Sequence, residues 1–123
     1  MSFDWKTFLA CAETLAKAQD EAAKRSAISR AYYAAYNVVR VFLQVIPPPN
    51  SDSHAHVWNA ALSDSRREVQ TLGTKGNRLK KRRRSADYEP SFDSLEFFTK
   101  ESLEVARAMI EAVETLKKDG TRR

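Results

Sequence analysis

The residues best able to do chemistry in this chain lie in one basic stretch and in small polar groupings around it. From Arg66 to Arg84 there are nine basic residues and a single acidic one, Glu68. The stretch carries +8 in a chain of net charge +5, which leaves −3 for all the rest. A cationic segment this dense attracts phosphate backbones by Coulomb attraction and counterion release. Arg78, Lys80, Lys81 and Arg82 are the expected RNA-phosphate contacts. No aromatic residue is interleaved with the run, so base stacking of the single-strand-binder kind is not indicated. The run leads directly into Arg83, Arg84, Asp87 and Tyr88, an acidic-aromatic ending on a basic helix.

Metal-independent RNA cleavage needs a base for the 2′-hydroxyl, an acid for the leaving oxygen and a cation for the phosphorane charge. Arg83 or Arg84 would supply the cation. The only histidines, His54 and His56, lie upstream in SDSHAHVW. His54 would supply acid–base chemistry only if the fold carries that segment to the basic helix. Read locally, both are exposed side chains beside a helix N-cap. With no Cys partner and no third His they make no metal site, and no cofactor is expected. Arg83, Arg84, Asp87, Tyr88 and His54 are therefore the candidate catalytic set. Ser29, Tyr33 and Asn37 follow one another at four-residue spacing on one helix and form a candidate polar cleft. Buried hydroxyls and amides need partners, and Arg83 or Asp87 would provide them. Asp87 is expected to accept hydrogen bonds from an Arg and from a Tyr or Ser hydroxyl. Tyr88 is expected to pack back on the second helix near Tyr33.

The elements that must position these groups are helical. Only 3 Gly and 4 Pro are present, too few for the regular turns of an all-β sandwich. Trp5, Phe8, Ala12 and Leu15 mark one apolar face of a first helix over Phe3–Gln19. A second helix over Asp20–Ile46 has one seam of Ile28, Tyr32, Ala35, Val39 and Phe42. Ala31, Ala34, Val38, Val41 and Val45 form another beside it. Pro47, Pro48 and Pro49 end it. Good N-cap residues at 50–53 precede a short helix with Val57, Trp58, Ala61 and Leu62. A further piece over Ser65–Ser85 contains Gly73 and Gly76, where a kink or break is expected. The last helix opens near Pro90-Ser91 and runs to Lys118, with Leu95, Phe98, Ser102, Val105, Met109, Ala112 and Leu116 on its seam.

These segments pack best as an antiparallel bundle, an all-α fold of four to five helices. The expectation is a single domain over residues 1–119 with a frayed tail at 120–123. One cysteine, no signal-peptide pattern and no uninterrupted apolar span suit a reducing cytoplasm rather than a membrane. The paired seams exceed what one side of a small bundle readily buries, so a homodimer is expected.

Two segments together resemble a known family. RSAISRAYYAAYNVVRVFL, from Arg25 to Leu43, begins a helix with Ser-x-x-Tyr-Tyr-Ala-Ala-Tyr. LKKRRRSADYEP, from Leu79 to Pro90, contains Leu-x-x-x-Arg-x-x-Ala-Asp-Tyr. The pair is similar to the small stand-alone HEPN-domain proteins of bacteria and archaea. That resemblance implies an up-and-down bundle, usually a homodimer, in toxin–antitoxin or other defence modules, often beside a small nucleotidyltransferase antitoxin partner. Many members are metal-independent ribonucleases with an Arg followed four to six residues later by a His. Two copies of that pair meet in the dimer cleft. Here Arg83 matches the motif Arg, and Asp87 and Tyr88 match its end. No His follows, and an ionised Asp does not donate a proton as an imidazolium does. The implied function is binding of RNA or a protein partner through the basic segment. The alternatives are a ribonuclease with a non-standard site and a purely structural bundle.

Overall fold

The computed structural model describes residues 3–120. Among them five helices follow one another, α1 Thr7–Ala16, α2 Glu21–Leu43, α3 Ser53–Leu62, α4 Arg67–Tyr88 and α5 Leu95–Lys118. No strand occurs among the described residues, so the all-α reading holds. Of the expected tail, Gly120 is described, at φ 70°, where it follows the end of α5. The rest, 121–123, lies outside the described residues.

Helix directions follow from the cross-contacts. Lys24 at the start of α2 reaches the Ala16 carbonyl at the end of α1, and Lys6 beside the start of α1 meets Glu114 near the end of α5. α1 is thus antiparallel to both. Arg25, Ser29 and Tyr33 of α2 meet the last turns of α4, and Arg82 of α4 meets Phe98 and Glu101 early in α5. α4 is therefore antiparallel to α2 and α5. α2 touches all four other helices, most extensively α5 and α1. The second seam of α2, which by itself pointed to a partner chain, is largely covered within this chain. Ala31 and Ala34 are buried, Val38 and Val45 half-buried, and only Val41 is exposed.

α1 is shorter than its apolar spacing predicts. Trp5 and Lys6 form a turn, and Trp5, Phe3 and Phe8 meet edge to face instead of continuing the helix. α5 also starts later than Pro90-Ser91. Arg25 donates to the carbonyls of Ala86, Glu89 and Pro90 and so holds the connection open. Those carbonyls belong to the last turn of α4 and to the link between α4 and α5. Helix ends leave such acceptors unpaired and favour a cation.

The expected break at Gly73 and Gly76 is absent, because α4 is continuous through both. The glycines answer to packing rather than to turns. A Cβ at Gly76 would stand 2.3 Å from the Trp58 ring, and one at Gly73 would stand 2.8 Å from Leu62 Cγ. Bare backbone lets α3 lie directly against α4, which fixes where α3 carries His54.

Candidate nucleic-acid interface and the tyrosine–histidine–arginine cluster

Adjacent turns of α2 present Tyr32, Tyr33 and Tyr36 toward α3 and α4. The Tyr32 hydroxyl is buried and needs partners. It has two. Trp58 Nε1 donates to it at 3.0 Å, and it lies 2.6 Å from His54 Nδ1. With the Nε2–H tautomer of His54, the Tyr32 hydroxyl accepts from the indole N–H and donates its own hydrogen bond to Nδ1. His54 also stacks on the Tyr36 ring with centroids 4.3 Å apart.

This corrects the local reading of His54 as an exposed neighbour of an N-cap. It is half-buried in an aromatic pocket, whereas His56 is exposed. Burial lowers the His54 pKa, and the charges of Arg83 and Lys80 lower it further, with Asp52 opposing them. Burial likewise raises the Tyr32 pKa well above the usual phenol range, against the hydrogen bond from Trp58 and the charge of Arg83. Both groups are therefore neutral at pH 7. Asp52 caps α3 by accepting from the N–H groups of His54 and Ala55 and pairs with Lys80 at 3.4 Å. Those backbone hydrogen bonds, chiefly from Ala55, and Lys80 pull its pKa down.

Arg83 faces inward on α4. Its guanidinium lies 5.5 Å from the Tyr32 ring and 5.6 Å from the Tyr33 ring, a cation–π arrangement. Nη1 reaches Asp87 Oδ2 at 3.5 Å, and Ser29 Oγ reaches the same oxygen at 3.5 Å. Both distances are long for hydrogen bonds. Arg83 Nε is buried without a partner among the described residues. Asp87 thus takes the place expected of it, between an Arg and a Ser hydroxyl.

Two expectations fail here. Tyr88 does not pack on α2 near Tyr33: it is 75% exposed and touches no ring among the described residues. As the last residue of α4, it lies on the outer face of the helix. Asn37 does not join Ser29 and Tyr33 in a shared cleft. Its amide donates to the Tyr33 carbonyl and its oxygen accepts from Arg40, all within α2.

The basic stretch divides into two sets. Lys80 is tied to Asp52, and Arg66 to Asp64. Arg82 lies 4.1 Å from the Phe98 ring and pairs with Glu101. Arg83 is buried. Arg67, Lys75, Arg78, Lys81 and Arg84 form no ion pair among the described residues. Arg78, Lys81 and Arg84 recur every three residues on the exposed face, opposite Leu72, Gly76, Leu79 and Arg83. Steps of three residues advance about 4.5 Å along a helix and keep to one side of it. Beside Lys81 and Arg84 is an open groove of about 530 Å³, lined also by Asn77, Lys80, Ser85, Tyr88 and Glu89.

Sequence reasoning missed Tyr32 and Tyr36 as partners of His54, Trp58 as the donor to Tyr32, and Arg25 as the clamp on the end of α4. The usable signal was that a Tyr and a Trp in apolar seams each carry a polar atom that burial would leave unpaired. Among the described residues no group of three His, Cys, Asp or Glu side chains is placed to hold a metal ion. No helix among them is long and apolar enough to cross a membrane. No family model, curated protein or solved structure matches the chain.

Proposed function

We propose that this chain is a HEPN-type helical protein that binds RNA through its phosphates along the outer face of α4. In this reading it works as a homodimer in a toxin–antitoxin or defence module, beside a small nucleotidyltransferase partner. The observation that carries RNA binding is the unpaired stripe Arg78, Lys81 and Arg84, with Arg67 farther along the same helix. Their charges are not spent on carboxylates, so each is free to displace a counterion from a phosphate. The HEPN assignment rests on the two motifs, and the module and its partner rest on that assignment.

The test is RNA binding by anisotropy over a salt series. Arg78, Lys81 and Arg84 replaced together by Ala should weaken binding about equally across sequences. They should also flatten the log–log salt slope by about 2, at roughly 0.7 for each single-strand phosphate that the variant leaves unneutralised. Replacing the carboxylate-tied Lys80 and Arg82 should cost less. If the triple variant binds RNA as the parent does, the α4 face is not the site, and an acidic protein partner becomes the better account.

A second reading, a metal-independent ribonuclease with a displaced histidine, draws on one observation. His54 and Arg83 meet the same two tyrosine rings. His54 has only Nε2 free for a substrate, and in the resting state that nitrogen carries the proton. RNA cleavage in EDTA that disappears in both His54→Ala and Arg83→Ala would support it. Cleavage indifferent to either would end it.

A further inference from the structure

We infer that the ligand of the α4 face is single-stranded, with an unpaired base stacked on Tyr88. This deepens the RNA-binding reading and rests on it. Tyr88 stands four residues after Arg84 and seven after Lys81, so the three share one side of the helix. Helical side chains lean toward the N-terminus, which directs the Tyr88 ring back along the cationic stripe. The ring is 75% exposed and meets no aromatic ring or guanidinium among the described residues, so its faces are open. It shares a groove with Lys81, Arg84, Asn77 and Ser85.

The charge pattern along that groove sets which part of a nucleotide goes where. Lys81 and Arg84 attract phosphate. Glu89, next to Tyr88 at the end of the groove, repels it. The Tyr88 end therefore suits the uncharged base, and Ser85 offers a hydrogen-bonding hydroxyl between the two. Every base has a π-face, so a tyrosine platform is tolerant of sequence. In a duplex the bases are stacked on one another and present no free face to the ring, so the same surface would engage a duplex by its phosphates alone.

The experiment is fluorescence anisotropy with a labelled single-stranded RNA of about ten nucleotides and the same strand annealed to its complement. The parent protein should prefer the single strand. Tyr88→Ala should weaken single-strand binding about 5-fold or more and leave duplex binding unchanged. Tyr88→Phe should bind like the parent, because the ring and not the hydroxyl stacks. Tyr88 contributes no side-chain hydrogen bond or ring contact to the bundle among the described residues, so these variants keep the fold. Equal affinity for both RNA forms, or a Tyr88→Ala variant that binds the single strand as the parent does, overturns the inference. The Arg78/Lys81/Arg84 variant separates the two claims. Its loss of binding together with an unaffected Tyr88→Ala would sink the stacking and spare the phosphate site. Its retention of binding would sink both.

Discussion

His54 is linked to a tyrosine and, through it, to a tryptophan, on two different helices. Trp58 uses its only side-chain donor on Tyr32, the Tyr32 hydroxyl donates a hydrogen bond to His54 Nδ1, and protonating Nδ1 would break the chain. Burial, with the charges of Arg83 and Lys80, holds the folded pKa of His54 below its ordinary 6.5. An unfolded chain therefore takes up a proton first as pH falls. The stability from this group is complete above about pH 6.5 and is lost as pH drops toward the folded value. Urea denaturation of the parent at pH 7.5 and 5.5 should show lower stability at the acidic pH. His54→Asn should show a smaller difference, and an unchanged one would refute the linkage. Asp87 belongs to the same neighbourhood with a different task. Its carboxylate faces the inward-pointing Arg83, which has little else to balance its charge. Asp87→Asn should cost about 1–3 kcal/mol and lower the melting temperature by several degrees. The upper values expected for a fully buried pair do not apply, because Asp87 is partly exposed and its hydrogen bonds are long. A variant that melts with the parent but no longer binds RNA would make Asp87 a ligand-binding residue instead.

The α3–α4 pair shows how packing overrides propensity. Glycine in a helix interior costs about 1 kcal/mol relative to alanine, so Gly76→Ala would stabilise an isolated helix. Here the added methyl would enter the ring of Trp58, a rigid and fully buried side chain. Either α3 moves away or the ring leaves its rotamer, and overpacking of this kind costs about 1–3 kcal/mol. Gly76→Ala should thus be net destabilising in thermal denaturation, and it should disturb the Trp58–Tyr32–His54 chain. Gly73→Ala should be milder, since its first obstacle is the partly exposed Leu62 side chain, although the Leu62 backbone nitrogen stands at 3.0 Å. A Gly76→Ala variant more stable than the parent would mean that α3 does not sit so close.

Taken whole, the bundle places its densest run of basic residues on one helix while the rest of the chain is net acidic. That polarity favours an oriented encounter with a polyanion and a rate that falls with salt. The same molecule leaves Phe3, Val41, Ile46 and Phe97 exposed, apolar surface beyond what the five helices cover. With the HEPN resemblance, this supports a homodimer. Sedimentation at micromolar concentration should give twice the chain mass, and a monomer mass there would count against it. The second α2 seam, largely covered within the chain, leaves only Val41 exposed for a partner.

The all-helical character, the central place of α2 and the density of the basic stretch were legible in the sequence, because each depends on local periodicity and charge. The pairing of Asp87 with Arg83 and Ser29 was also legible, through spacing on α4 and a hydroxyl on the broad helix. Tertiary structure decided what periodicity does not encode. It carried His54 into the tyrosine cluster, since only the close approach of α3 at Gly76 brings that segment beside α2. It turned Gly73 and Gly76 from expected breakers into packing surfaces. It also sorted the cations. Lys80 and Arg82 lie within the same run as Lys81, but their faces of α4 meet Asp52, Phe98 and Glu101 from other helices and their caps. Lys81, one residue along, points to solvent. A difference of one residue is about 100° of helix rotation, and the surroundings in each direction are set by the neighbours that folding brings.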